Sequence, residues 1–361
     1  MEIKDILNLE PYSISHSAKH NMLNERMWDL TRFHYNNSPE YRKMFDATGL
    51  DINSLPDYEQ LPFLPVRLFK EFELRSVPKE NVVKTMTSSG TTGQKKSKIF
   101  LDRETSANQT KCLTRIVSSF LGKKRVPMLI LDTSAVIKDR RMFSARGAGI
   151  LGFSMFGTKR CYALDEGMNL DIEGMKNFLD EHKGETIFMF GFTFMIWQHF
   201  YKKLKESGYH PDLSNGVLIH GGGWKKLVNE QVSPTEFNQA LHDVCSIDIN
   251  NVHDYYGMVE QTGTIYMECE CGHLHASTYS DVIIRRPNDF SIADKGEKGL
   301  IEVISVLPES YPGHILLTED EGVIEGEDDC PCGRKGKYFK VLGRIKNAEI
   351  RGCSDTYAAK F

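Results

Sequence analysis

The chain lacks several features that would assign it at once to a special class of protein. No stretch approaches about 18 uncharged apolar residues, the length that a membrane-spanning helix requires. The formal net charge of −4 provides no basic field for nucleic acid or anionic lipid. The amino terminus has neither the basic start nor the apolar run of a secretory signal. We therefore expect a cytoplasmic protein with no membrane span and no nucleic-acid partner.

Cysteine is also scarce, with eight residues among 361. That number is too small for a disulfide scaffold in a chain of this length. Four of the eight lie in two close pairs, which favours metal binding or reactivity in a reducing compartment. Three others have the sequence context of ordinary core cysteines: Cys112, Cys161 and Cys245.

Short apolar runs alternate with longer helical patterns, which is typical of an α/β protein. The runs lie at 126–131, 186–190, 217–219 and 300–306. Near the amino terminus, apolar residues at steps of three and four predict an amphipathic helix over 17–35. Ser38 and Pro39 predict the start of a second helix. The charge-rich stretch 319–329 is interpreted as strand ends and a solvated loop.

The most specific motif is TSSGTTGQKK at 87–96. Glycines let backbone amides approach an oxyanion, hydroxyl groups add donors, and lysine adds mobile positive charge. This composition suits a triphosphate, although a flexible surface turn is the alternative interpretation. The motif departs from GxxxxGK[ST], the P-loop of nucleotide hydrolases.

The order SSGTTGQKK resembles TSGTTGxPK, the phosphate loop of the acyl-adenylate-forming superfamily, with Lys95 in the place of proline. Downstream, DYYGMVE at 254–260 resembles the family's YGxTE segment, with Val259 in the place of threonine. HGGGWK at 220–225 resembles the glycine-rich turn beside adenine. TED at 318–320 and GR at 343–344 resemble the TGD segment and the GR before the hinge.

The resemblance implies an α/β adenylate-forming domain that uses ATP and Mg²⁺. It implies that Tyr256 stacks on adenine, Glu260 binds Mg²⁺ and Lys96 stabilises the departing pyrophosphate. Asp320 and Arg344 would hold the ribose. The implied nucleotide-binding residues are Ser88, Ser89, Gly90, Thr91, Thr92, Gly93, Lys96, Gly221, Gly222, Gly223, Tyr255, Tyr256, Gly257, Asp320 and Arg344.

The chain stops at Phe361, whereas the superfamily's mobile C-terminal domain normally runs on well past the hinge. The short length, together with NSPEYR at 37–42, LPFLP at 61–65 and GCS at 352–354, resembles the acyl-protein synthetase (LuxE) family. In that family a terminal cysteine takes the acyl group from acyl-AMP and passes it to a reductase partner. Cys353 occupies the matching place, and the alternative is an exposed thiol without a role.

The two cysteine pairs form similar CxCG knuckles, a pattern typical of a structural zinc site. Phenylacetate-CoA-ligase-like relatives often carry a comparable site, whereas luminescence-type members generally do not. His275 is an alternative ligand. The predicted zinc ligands are Cys269, Cys271, Cys330 and Cys332.

We predict one adenylate-forming domain over 1–342, with a helical segment at 1–80 and a zinc-knuckle region at 265–335, followed by a hinge and tail at 343–361. Phe192 and Phe194, in the aromatic-rich segment 190–197, are candidates for the acyl pocket or for plain core. The expected substrate is a carboxylic acid, a long-chain fatty acid by the LuxE resemblance. The alternatives are an aryl-CoA or fatty-acyl-CoA ligase, which would use coenzyme A, and a non-catalytic nucleotide-binding scaffold.

Overall fold

The computed structural model describes residues 1–88, 96–138 and 145–345, and the structural statements below refer to these residues. No described helix is long and apolar enough to cross a bilayer. A π-helical turn at Ile196–Tyr201 joins the helix Thr193–Met195 to the helix Lys202–Ser207. The α-helices are α1 Ile3–Ile6, α2 His16–Asn37, α3 Pro39–Asp46, α4 Leu68–Glu71, α5 Arg103–Leu121, α6 Ala135–Lys138, α7 Ala145–Phe153, α8 Ile172–Glu181, α9 Thr193–Met195, α10 Lys202–Ser207 and α11 Pro234–Cys245.

The strands are mostly short, and the longest lies near the carboxyl end of the described chain. They are β1 Leu64–Pro65, β2 Lys84–Thr87, β3 Lys98–Leu101, β4 Val126–Thr133, β5 Gly157–Leu164, β6 Ile187–Phe192, β7 Gly216–Gly221, β8 Val252–Tyr256, β9 Tyr266–Glu268, β10 Leu274–His275, β11 Ser280–Arg285, β12 Lys298–Ser305, β13 Ile315–Glu327 and β14 Lys337–Arg344.

The chain folds into two compact units. The first contains 1–116, 257–266 and 273–345 of the described residues, and the second contains 117–256 and 267–272. In the first unit, antiparallel strands follow the order β11-β12-β13-β14-β10, with β1 parallel beside β13. Strands β2 and β3 form a separate hairpin. Helix α2 buries apolar residues at helical spacing, among them Met22, Leu23, Met27 and Leu30.

The second unit is a parallel sheet in the order β5-β4-β6-β7-β8. Strand β6 is buried on both faces, as a sheet covered by helices on each side requires. Met189 packs into a cluster that includes residues of α8, α10 and α11. Phe190, one position along, stacks on Phe153 of α7 with ring centroids 4.3 Å apart. The helices therefore pack on opposite faces of this sheet.

The α/β prediction is confirmed, and each apolar run used for it lies in a strand: β4, β6, β7 or β12. The predicted second helix begins as expected, because the Ser38 side chain accepts from the Tyr41 amide and Pro39 is the first helical residue.

The prediction for 319–329 was wrong, because β13 continues through this stretch to Glu327. The partner is β14, which pairs with it from Asp320 opposite Arg344 to Glu327 opposite Lys337. Lys340 also contacts Glu325 across the pair at 2.9 Å. Some of the charges therefore belong to cross-strand pairs, which a local sequence pattern does not reveal.

Candidate active site

The described ends of the glycine-and-hydroxyl motif are held together by the β2–β3 hairpin. The Ser88 amide donates to the Ser97 carbonyl at 3.2 Å, and the Ser97 amide donates to the Ser88 hydroxyl at 3.0 Å. Lys96 is exposed beside this closure. Five predicted phosphate-binding residues lie outside the described residues: Ser89, Gly90, Thr91, Thr92 and Gly93.

Glu260 is buried in the same unit, within a short 3-10 turn at Val259–Gln261. The Tyr311 hydroxyl donates to the Glu260 carbonyl at 2.8 Å and anchors this turn. Burial raises the pKa of the Glu260 carboxyl group, and the nearby Ser97 side chain is the strongest of the influences that oppose the rise, ahead of Lys70. The hairpin that carries the phosphate-loop motif and the predicted Mg²⁺ ligand are therefore neighbours.

Asp320 and Arg344, the predicted ribose ligands, lie opposite each other on β13 and β14. Arg344 Nε is 3.7 Å from Asp320 Oδ1, and the arginine side chain is 75% exposed. Most of the guanidinium group therefore remains open to solvent, where a ligand can reach it.

In the second unit, the glycine turn directly follows β7 and fits closely against aromatic rings. A Cβ atom at Gly221 would lie 2.7 Å from the Tyr255 ring, and one at Gly222 would lie 2.6 Å from the Phe192 ring. Gly222 also has φ of +82°, a conformation that glycine adopts at little cost. Glycine is therefore required here for close packing as well as for the turn.

Two of the predicted acyl and adenine residues, Phe192 and Tyr255, lie beside this turn. Phe192 ends β6, is 5% exposed and lies 6.5 Å from the half-buried Phe194 between ring centroids. Tyr255 packs against Phe153 at 5.3 Å, and burial raises its pKa. Tyr256 ends β8 and is half-buried. Gly257 follows Tyr256 and is exposed, in the first unit.

The cysteine knuckles have the same local geometry. Gly272 and Gly333 have φ values of +76° and +81°, and their amides donate to the carbonyls of Cys269 and Cys330, each at 2.9 Å. The Cys271 amide points to Cys269 Sγ at 3.4 Å. A thiol with such an amide donor is favoured as thiolate, the form that binds metal.

In the first unit, potential ligand atoms of His275, Cys330 and Cys332 lie within 4.8 Å of one another. His275 Nε2 is 3.4 Å from Cys332 Sγ, and His273 Nδ1 is 3.3 Å from Cys330 Sγ. His275 was the alternative ligand in the sequence prediction, and it is fully buried here. In the second unit Cys269 is buried, whereas Cys271 is exposed. The predicted set of four cysteines therefore stays a prediction, and its alternative ligand His275 lies beside Cys330 and Cys332.

Two features of the site were missed from the sequence. Ser97 directly follows the recognised motif, so its position beside Lys96 could have identified it. The ion pair between Asp132 and Arg146 joins the end of β4 to α7 with Oδ2 and Nε 2.8 Å apart. No sequence signal connects these two residues, because their pairing depends on the packing of α7 against the sheet.

The described residues have the α/β fold of adenylate-forming ligases. The open conformation of 2-hydroxyisobutyryl-CoA ligase has a TM-score of 0.68 to this chain at 14% identity, covering 93% of this chain and 77% of that one.

The whole chain, residues 1–361, matches the family model described as "Acyl-protein synthetase, LuxE". The chain therefore belongs to the acyl-protein synthetase (LuxE) family, and it is a ligase that activates a carboxylic acid with ATP and transfers the acyl group to a thiol. The long-chain-fatty-acid–luciferin-component ligase of Aliivibrio fischeri is 25% identical over 370 residues, covering 98% of this chain and 92% of that one. A phenylacetate-coenzyme A ligase of Aromatoleum evansii is 40% identical over 76 residues, which is 19% of this chain and 17% of that one.

Proposed function

We propose that this protein converts a long-chain fatty acid to acyl-AMP and then passes the acyl group to the thiol of Cys353. The proximity of the Ser88–Ser97 hairpin closure to the buried Glu260 carboxyl group supports the first half-reaction most directly. The name of the Aliivibrio fischeri relative supports the choice of acid. Cys353 itself lies outside the described residues, so its role rests on the sequence resemblance.

In the proposed adenylation, the substrate carboxylate attacks the α-phosphorus of ATP and pyrophosphate leaves. Backbone amides and hydroxyls of 88–93, with Lys96, stabilise negative charge on the departing phosphates. Glu260 offers the oxygen ligand that Mg²⁺ prefers, and Mg²⁺ when bound neutralises phosphate charge. Asp320 and Arg344 hold the ribose, while the Gly221–Gly223 turn, Tyr255, Tyr256 and Gly257 surround the adenine.

In the second half-reaction, the Cys353 thiolate attacks the acyl carbon, and AMP departs with the bonding electrons of the acyl–phosphate bond. A thioester forms, and we propose that an acyl reductase then accepts the acyl group. We place this chemistry in the cytoplasm, where reducing conditions keep cysteine available as a thiol.

The adenylation step is tested by measuring pyrophosphate release with ATP and a panel of carboxylic acids. Glu260→Gln should lower kcat/KM by about a hundredfold or more, because a charged ligand to Mg²⁺ is lost. Glu297→Gln is the matched control, since Glu297 pairs with Arg286 at the surface. If no acid in the panel causes pyrophosphate release, the result would instead support a nucleotide-binding scaffold.

The acyl acceptor is tested by mass spectrometry after incubation with ATP and fatty acid. A covalent acyl adduct should be present in the unmodified protein and in Cys161→Ala, and absent from Cys353→Ala. Burial raises the pKa of Cys161 to about 11, so this thiol should not react at neutral pH. Pyrophosphate release should survive both substitutions.

A second candidate function is an aryl-CoA or fatty-acyl-CoA ligase that uses free coenzyme A. The local match to a phenylacetate-coenzyme A ligase favours it. Acyl-CoA formed at the same rate by Cys353→Ala and by the unmodified protein, without a protein adduct, would support this function over the first.

We also propose a structural zinc ion held by His275, Cys330 and Cys332, with Cys269 as the expected fourth ligand. Three soft or borderline ligands within 4.8 Å fit zinc better than Mg²⁺. Metal analysis should find about one zinc per chain. Cys330→Ala and Cys269→Ala should lose it, whereas Cys271→Ala should retain it. Loss of zinc by both Cys269→Ala and Cys271→Ala would instead support the set of four cysteines predicted from the sequence.

A further inference from the structure

The carboxyl edge of the parallel sheet in the second unit carries a buried charged pair that the proposed reaction does not use. Asp132, the penultimate residue of β4, is fully buried. Its carboxylate is 2.8 Å from Arg146 Nε, on the first turn of α7. A buried ion pair seldom adds stability over apolar packing, so its presence at a ligand-binding edge calls for another explanation.

The pair lies at the topological switch point of this sheet. From β4 the chain passes to β5 on one side and then to β6 on the other. Ligands of open parallel sheets bind in the crevice outside the carboxyl ends of such strands. The pair is therefore where a bound molecule is expected on topological grounds alone.

The strand register aligns the pair with the predicted acyl and nucleotide residues. Ile130 pairs with Phe190, and Asp132 and Phe192 each lie two residues further along their strands. Phe192 pairs with Gly221, which in turn pairs with Tyr255. Residues level with one another in parallel strands point to the same face of the sheet. Asp132, Phe192 and Gly221 thus form one row of residues across the sheet, which leads from the charged pair to the glycine turn.

Helix α7 covers this row and joins its parts. A Cβ atom at Gly149 would lie 3.0 Å from the Phe192 ring, and Arg146 is one turn earlier on the same helix face. Arg146 Nη1 also contacts Met195 Sδ at 3.4 Å, directly before the π-helical turn. The Arg146 side chain is 25% exposed. Its guanidinium group therefore borders the predicted acyl pocket and keeps donors that a ligand can reach.

We infer that Arg146 determines specificity by donating a hydrogen bond to a second, neutral polar group on the acid, a hydroxyl or carbonyl group. This inference rests on the proposed function. Asp132 already balances the arginine charge, so an additional carboxylate would bring an uncompensated negative charge into the pocket. From the glycine turn on β7 to β4 there are two strand spacings, roughly 10 Å. We place the reacting carboxyl group beside the glycine turn, so the second group lies roughly that far from it.

The test compares kcat/KM for pyrophosphate release with decanoic, omega-hydroxydecanoic and decanedioic acids, and with hexadecanoic acid as the long-chain reference. The omega-hydroxy acid should exceed decanoic acid by about tenfold or more, the effect of one hydrogen bond to a charged group. Arg146→Met should abolish that preference. Arg146→Lys should retain part of it, and Arg160→Met, at an exposed arginine of β5, should retain all of it.

Arg146→Met leaves the buried Asp132 carboxylate without a cationic partner, so the fold of this variant must be checked by thermal unfolding. The double variant Asp132→Asn with Arg146→Met removes both charges and should also lose the preference. Equal or lower activity with the hydroxy acid, or a preference for the diacid, would overturn the inference while leaving hexadecanoic acid activation in place. If no acid is activated, the proposed function fails and the inference fails with it.

Discussion

The two units bury different kinds of side chain. The first unit encloses charges, with Asp281 fully buried between Lys19 and Lys337 at 3.2 and 3.0 Å. The second encloses mainly apolar and aromatic residues, such as Phe190 stacked on Phe153. The stability of the first unit depends on buried polar groups, which lose their partners when one of them is changed. The stability of the second depends on how closely its side chains pack and on how much apolar surface they bury. The stability of the two units should therefore respond differently to removal of a charge, to acid and to a cavity in the core.

The largest expected effect is in the buried charge cluster of the first unit. Burial alone would raise the pKa of Asp281, but the two lysines and the Tyr58 hydroxyl outweigh it and hold the pKa well below its usual value. Asp281→Ala would leave buried lysines uncompensated and should lower the free energy of unfolding by about 3–5 kcal/mol, measured by urea denaturation. Asp294→Ala, at a carboxylate 90% exposed, should cost less than about 1 kcal/mol. Equal effects of the two substitutions would contradict the comparison.

Acid should destabilise the first unit through two buried histidines that contact each other, His34 and His314. Burial lowers the pKa of His34 to about 3 and that of His314 well below its usual value. The unfolded chain binds these protons below about pH 6.5, so stability is complete above that pH and falls as the pH drops toward 3. The loss approaches about 1.4 kcal/mol per pH unit for each histidine.

Burial keeps His34 neutral, and its hydrogen bonds decide which ring nitrogen carries the proton. Nε2 lies 3.1 Å from the Pro308 carbonyl and must donate, so Nδ1 accepts from the Ser76 hydroxyl at 2.7 Å. His34→Gln should reduce the dependence of the unfolding free energy on pH between 7 and 5, and His210→Gln at an exposed site should not. The second unit has a buried counterpart in His220, whose pKa burial also lowers to about 3. Substitution of His220 should reduce the dependence of the unfolding free energy on pH by the contribution of a single histidine.

A smaller effect is expected in the aromatic layer of the second unit. Phe190→Leu removes a stacked ring and part of the buried volume, and should cost about 1–2 kcal/mol of unfolding free energy. This loss should be nearly constant from pH 7 to 5, because no charge is involved. A strong pH dependence of the loss would show that the two units do not differ in the way proposed.

The smallest expected change in stability is at Arg344. The pair with Asp320 is 3.7 Å long and the arginine is largely exposed, so Arg344→Met should change the unfolding free energy by less than about 0.5 kcal/mol. If Arg344 holds the ribose, KM for ATP should nevertheless rise by about tenfold, the cost of one charged hydrogen bond. An unchanged KM would remove Arg344 from the site.

Much of the fold followed from local patterns, because strands and helices have distinct periodicities and caps. Ser38 and Pro39 predicted the start of α3, and the apolar run at 126–131 predicted β4. The predicted nucleotide motifs were recognisable because glycine and hydroxyl residues occur there in an order that a packed core does not require. The local pattern failed at 319–329, where most of the stretch pairs with a strand that begins at Lys337.

The sequence by itself determined the alternation of strands and helices, the phosphate-loop motif and the turns of the two CxCG knuckles, because each depends on residues within a few positions of one another. Only the tertiary structure decided that His275 joins Cys330 and Cys332, that Ser97 lies beside Glu260, and that Arg146 meets Asp132. These contacts join distant parts of the chain, and burial makes each of them strong enough to matter. Packing, which no local pattern encodes, selects such partners.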